Sequence, residues 1–287
     1  MTEAPTRRPP WWHEALAHAA LLLAVCFALY PVLWVVSLAL SPSGTPSARA
    51  LPLPEALSLD NFRAVVTASD SAGRWLFARQ LTSSVVVAVA TAVASVALAT
   101  PAAYAMARMA FVGRDAGTRV LLATQMFPGV ATAVPLYVIL DALHLLDTRA
   151  GLVLVYATTA MPFAVFQLRG AFEAIPKDLE EAAMVDGATR WEAFVKVVLP
   201  AARPAIAVTC LFAFMQAWNE FILAATFLSR EEAFTLPVAL QRYVGEYNAA
   251  WGKFAAGAVI VSVPVMAIFY AVQRHLVGGL TSGSVKG

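Results

Sequence analysis

Six runs of mainly apolar residues, each 18 or more long, divide this 287-residue chain, at 15–40, 81–107, 120–141, 151–168, 204–228 and 254–273. A helix needs roughly 20 such residues to cross the hydrocarbon of a bilayer, so every run is long enough to span it. Helices are the only form open to them, because lipid offers no partner for backbone N–H and C=O groups; the alternating ten-residue segments of a barrel are absent. Composition agrees, since 60% of residues are hydrophobic and only 13% are charged, about half the charge of an ordinary soluble domain. The expectation is an all-α, polytopic membrane helical bundle with six transmembrane helices, forming one domain over residues 1–287.

With six crossings both termini lie on one side. Twelve of the 20 Lys and Arg fall on that side and eight on the other, which places both termini and the polar loop 172–200 in the cytoplasm. Arg7 and Arg8 precede the first run as they would in a secretory signal, but its 26 residues exceed the roughly 7–15 of a signal core, so it is read as a retained span. Pro31, Pro101, Pro128, Pro135, Pro162 and Pro264 interrupt the spans, as membrane bundles tolerate. A net charge of +2 gives no argument for nucleic acid.

Enzyme chemistry finds little footing. Cys26 and Cys210 lie in apolar runs with no ligand-spaced neighbour, which points to packing and not to a disulfide or metal. His13, Glu14 and His18 resemble a zinc-protease pair, but five-residue spacing sets the two imidazoles about 140° apart around a helix. The phosphate-cradling G-x-x-x-x-G-K-[ST] is missing: Lys253 is followed by Phe254, and Tyr247 stands where the first glycine belongs. The chain is therefore expected to hydrolyse no ATP itself and to hold no cofactor, metal or catalytic group.

Residues 175–200 read IPKDLEEAAMVDGATRWEAFVKVVLP and specify two short helices. Pro176 suits a first turn, Asp178, Glu180 and Glu181 complement the dipole there, and Gly187 supplies a left-handed residue that closes the first helix. Thr189 and Glu192 form a capping box that starts the second, and Pro200 is expected to end it. An amphipathic connector lying on lipid headgroups is the competing reading. A helix-turn-helix is discounted, because a loop tethered at both ends within about 30 residues could hardly enter a groove.

This loop resembles the EAA motif of importer permeases of the ATP-binding cassette class. The match runs Glu181, Ala182, Ala183, Gly187, nine residues, then Val197, Val198, Leu199 and Pro200, with Val197 departing from the usual Ile. The segments 216–228 (QAWNEFILAATFL), 234–240 (FTLPVAL), 57–62 (LSLDNF) and the ending from Gln273 are similar to the maltose-type, carbohydrate-uptake branch. The resemblance implies an inner-membrane subunit whose loop is a coupling helix, with Glu181, Ala182, Ala183, Asp186, Gly187, Leu199 and Pro200 as the ATPase-coupling set. It implies as partners a second, similar permease, two copies of an ATPase that carries ATP and Mg, and an extracytoplasmic sugar-binding protein. The cargo implied is an oligosaccharide such as maltose, trehalose or a related sugar.

Glu220 is the one carboxylate well inside a run, and burying it costs at least about 2.5–3.5 kcal/mol, so it must face the bundle or a wet path. Gln216, Asn219 and Glu220, at i, i+3 and i+4, would share a helix face that could hydrogen-bond sugar hydroxyls, with Trp218 or Phe212 stacking nearby. Hydrogen bonding between spans explains the stripe equally well. A proton-coupled carrier using Glu220 is the rival class.

Overall fold

The computed structural model describes residues 11–46, 51–54, 56–245 and 249–281, with side chains between 12 and 273. Arg7, Arg8 and residues 282–287 of the C-terminal stretch lie outside it. Helices α1 (Trp11–Leu40) and α2 (Asp60–Val66) precede the long α3 (Leu76–Arg108). Next come α4 (Arg114–Met126), a 3-10 turn at Gly129–Thr132, α5 (Ala133–Ala142) and α6 (Arg149–Ala174). The polar loop holds α7 (Lys177–Val185), α8 (Arg190–Ala193), a π-helical turn at Phe194–Val198 and α9 (Leu199–Ala201). It leads into α10 (Arg203–Asn219), α11 (Ile222–Phe227), α12 (Leu236–Gln241) and α13 (Trp251–Thr281). Among the described residues there is no strand, only isolated bridges at Ser69–Trp75 and Val244–Ala249.

Four of the six runs fold as single helices long and apolar enough to cross a membrane, within α1, α3, α6 and α13. Pro31, Pro101, Pro162 and Pro264 sit inside these helices without breaking them. The count reaches six if each of two bent pairs is one span: Arg114–Met126 with Gly129–Ala142, turned by 98°, and Arg190–Ala201 with Arg203–Asn219, turned by 74°, the first arm of the latter being the end of the polar loop. The expected spans 120–141 and 204–228 are each interrupted, the first at Phe127 and Pro128 and the second at Glu220. Phe127 is forced extended (φ −82, ψ 131) by the proline that follows it, and Pro128 has no N–H to rejoin the ladder. In the second, α10 stops at Asn219 and Glu220 is extended (φ −68, ψ 128) before α11 begins.

The described residues fall into two compact units. In the first, Met1–Val66 with Tyr243–Ile260, the Asn61 amide donates to the carbonyls of Ala39 at 3.1 Å and Ser41 at 2.9 Å, satisfying groups left over at the end of α1. Gly252 N–H donates to the Gly44 carbonyl at 2.9 Å. A Cβ on Gly252 would run into Asn61 and the Gly44 backbone, so only glycine allows this approach.

In the second unit, Thr67–Arg242 with Val261–Gly287, helices α3, α6 and α10 pack on one another. The buried seam of α3 is built from small residues four apart, Ser84, Ala88 and Ala92, then Ser95, Ala99, Ala103 and Ala107. Helix α6 also buries small residues, Gly151, Ala157, Ala160 and Ala164, and small residues at such contacts let helix backbones come close in lipid. At one end, Ser84 Oγ accepts from the Leu236 N–H at 2.7 Å and Gln80 donates to the Glu231 carbonyl at 3.1 Å. At the other end, Tyr104, Leu168, Phe172, Phe194, Val198 and Ala202 form a buried cluster beneath the polar loop.

Candidate functional site

The loop opens later than expected, because α6 continues through Phe172 to Ala174. Pro176 stands one residue before α7, in the extended geometry that precedes the first helical turn (φ −56, ψ 132). Gly187 has φ +92, as the sequence required. Its N–H donates to the Met184 carbonyl at 3.1 Å and the Ala188 N–H to the Ala183 carbonyl at 3.0 Å, the paired bonds of a Schellman end that satisfy the last carbonyls of α7. Two residues on, Thr189 Oγ1 accepts from the Glu192 N–H at 3.2 Å, and the Glu192 carboxylate accepts from the Thr189 N–H at 2.9 Å. That backbone bond, followed by the Lys196 ammonium 2.9 Å away and the Thr189 hydroxyl, pulls the Glu192 carboxyl down to about 2.

Pro200 does not end the second helix. Leu199 N–H bonds back to Phe194 in the wider π turn, α9 carries Pro200 at its start, and the chain bends only at Ala202 (φ −85, ψ −1). The wider turn moves the preceding carbonyls away from the proline ring, relieving the clash that would break a regular helix.

Of the coupling set, Glu181, Ala182, Asp186 and Gly187 are exposed on α7 and its end, and Ala183 is half-buried. Leu199 and Pro200 are half-buried, and Leu199 packs against the cluster under the loop, so they belong to the support and not to the outer surface. Beside Glu181 and Ala182 stand three exposed apolar side chains, Leu179 at 51%, Val185 at 87% and Trp191 at 67%. These apolar side chains are exposed on the same short stretch as the Glu181 carboxylate.

Sequence reasoning counted Glu180 only as a dipole partner. It is 6% exposed, takes the Tyr104 hydroxyl on one carboxylate oxygen and Arg108 Nε at 3.1 Å on the other. Arg108 in turn donates to the Ile175 carbonyl at 2.7 Å. The signal was there in the spacing: Glu180, Ala183 and Met184, at i, i+3 and i+4, are the inner face of α7, while its apolar Leu179 and Val185 face out.

The polar stripe is divided. Gln216 and Asn219 are exposed on α10, Asn219 donating to the Met215 carbonyl at 2.9 Å. Glu220 leaves their helical face: its carboxylate accepts the Leu223 and Ala224 N–H groups at 2.8 and 3.0 Å, capping α11, and the Tyr156 hydroxyl at 2.6 Å. Trp218 is buried, donates to the Val261 carbonyl at 3.2 Å and stacks on Phe214. Phe212 meets Phe163 edge to face at 5.6 Å. Among the described residues no group of His, Cys, Asp and Glu is placed to hold a metal.

Residues 96–282 match the model of the family described as binding-protein-dependent transport system inner membrane component. The chain is 38% identical to the trehalose transport system permease protein SugB of Mycobacterium tuberculosis (strain CDC 1551 / Oshkosh), over 92% of this chain and 95% of that one. It is 36% identical to the maltose/maltodextrin transport system permease protein MalG of Escherichia coli (strain K12), over 95% of each. A bacterial ABC transporter involved in the import of the acidic polysaccharide alginate shares the fold, with TM-score 0.77 and 24% identity over 94% of this chain and 99% of that one. The proton-coupled carrier suggested by Glu220 is not supported: the carboxylate is spent on a helix cap, and the relatives are permeases of binding-protein-dependent systems. The chain belongs to the binding-protein-dependent transport system inner membrane component family, and is a multi-pass permease subunit of an ABC importer, not an enzyme.

Proposed function

We propose that this permease forms part of the path of an ATP-driven importer for an oligosaccharide of the trehalose or maltose kind, and that loop 172–200 is where a separate ATPase docks. The observation that carries the docking is the exposed Leu179, Glu181, Ala182 and Val185 of α7, which the left-handed Gly187 closes, followed by the exposed Trp191 within the Thr189–Glu192 box. The sugar rests on the substrates of two relatives, trehalose and maltose/maltodextrin, at 38% and 36% identity.

In this assembly a second, similar permease completes the path, two copies of the ATPase bind ATP and Mg, and an extracytoplasmic binding protein delivers the cargo. Both termini are cytoplasmic. ATPase closure pushes the loop, and the push re-exposes the path by a rigid-body step between two states that differ in their contacts. Gln216 and Asn219, exposed on α10, line the path; Trp218 and Glu220 support it from within the fold.

The test is purification of the intact complex from native membranes in mild detergent, followed by a ligand screen on the binding protein that accompanies it. Recovery of an ATPase and a sugar-selective binding protein is the expected result. A preparation with no ATPase sinks the coupling reading, and a binding protein that takes amino acids but no sugar sinks the substrate.

A further inference from the structure

The loop is joined covalently to α6 and α10, yet its strongest side-chain tie goes to α3. We infer that Glu180 fastens the coupling helix to the end of α3, so that α7 and α3 move as one body when the ATPase closes. This rests on the docking of an ATPase at α7 proposed above.

Three observations carry it. Tyr104 and Arg108 lie four apart on α3, one turn, so the two oxygens of Glu180 engage a single face of that helix. The Arg108 and Glu180 side chains are 5% and 8% exposed, so the pair is largely withdrawn from bulk solvent, at the floor of a small polar pocket it shares with Lys177 and Arg190. Arg108 also holds the Ile175 carbonyl at the end of α6, so one guanidinium joins α3, α6 and α7.

The surroundings favour a firm tie over a sliding one. The Tyr104 ring lies 4.3 Å from that of Phe194 and meets Phe172 edge-on, closing an apolar wall behind the ion pair. An exposed pair yields easily, because water and salt compete for it; a buried pair that opens leaves a charge with no partner. The shape of α7 does not need Glu180, since its Schellman end and the box that follows it are made by other residues. Glu180 is a positioning residue: it attaches a helix already formed. From α3 the load passes along the small-residue seam to α6 and α10.

The experiment uses the complete transporter, both permeases with ATPase and binding protein, in proteoliposomes, and reads uptake and ATP hydrolysis together. Glu180→Gln keeps the shape and an acceptor for Tyr104 but removes the charge. We expect the ATPase to co-purify in wild-type amount and hydrolysis to continue, while uptake per ATP hydrolysed falls about tenfold, within the usual range of coupling between two sites. In a background with Cys26 and Cys210 replaced by Ser, Arg108→Cys with Glu180→Cys joined by a short thiol crosslinker should restore the ratio. An unchanged ratio in Glu180→Gln overturns the inference. So does a parallel loss of uptake and hydrolysis with the ATPase still bound, which gives Glu180 no part in passing motion to α3, or a crosslink that blocks uptake, which means the helices must part. If the wild-type preparation holds no ATPase, the docking reading itself falls, and this inference with it.

Discussion

Gly187 shows what one residue can be asked to do. At φ +92 no neighbour lies within 4 Å of where a Cβ would sit, so a substitution there costs backbone strain alone, about 1–2 kcal/mol for an L-residue and more when β-branched. Gly187→Val should still insert in the membrane but bring down several-fold less ATPase. Gly73→Val, equally left-handed at φ +74 and equally uncrowded, is the control that should bring down the wild-type amount. Equal recovery from both variants would show that the end of α7 is irrelevant to docking. Glu220 teaches the opposite lesson. Its place in the stripe assumed a helix unbroken through residue 228, and nothing local announces the break, since neither Glu220 nor its neighbours is Gly or Pro. The hydroxyl that helps hold it, Tyr156, lies 64 residues away. Glu220→Gln leaves one oxygen to serve three donors, so the purified protein should melt earlier, by about 1–3 kcal/mol of stability, with the KM for uptake unchanged. A raised KM at unchanged melting would put Glu220 back in the path.

Among the elements, those whose signals are local were readable. The Thr189–Glu192 box, the left-handed glycine and the α1, α3, α6 and α13 spans all follow from spacing within a few residues or from long apolar runs. The π turn at Phe194–Val198 and the bend at Ala202 were not, because Pro200 reads as a stop when only a regular helix is considered. The box also responds to acid in a set direction. In the folded chain the Glu192 carboxyl sits at about 2, below its ordinary 4.5. Its contribution to stability is therefore complete above the ordinary value and disappears as the pH falls toward the folded one. Thr189→Ala removes the hydroxyl of the box, so it should lower the melting temperature at neutral pH, and the gap to wild type should narrow as the pH approaches about 3. A gap that stays constant would mean that the Glu192 carboxylate takes no part in the cap.

For the molecule as a whole, the excess of twelve cationic residues over eight fixes the proposed sidedness, and it is a modest bias. A fluorescent protein fused after residue 287 should light up in the cytoplasm, and a periplasmically active phosphatase fused within 229–235 should be active; the reverse pattern would invert the topology and leave the loop out of an ATPase's reach. The Schellman end and the capping box also have an evolutionary corollary. The backbone bonds of the Schellman end and the capping box are made within residues 182–192, with Lys196 holding Glu192 from the next turn, so residues 182–196 are a portable part, open to exchange between permeases that keep different ATPases. The limit on such grafting is the inner face: a transplanted loop with Glu180 needs a host whose third helix ends with a tyrosine and an arginine one turn apart.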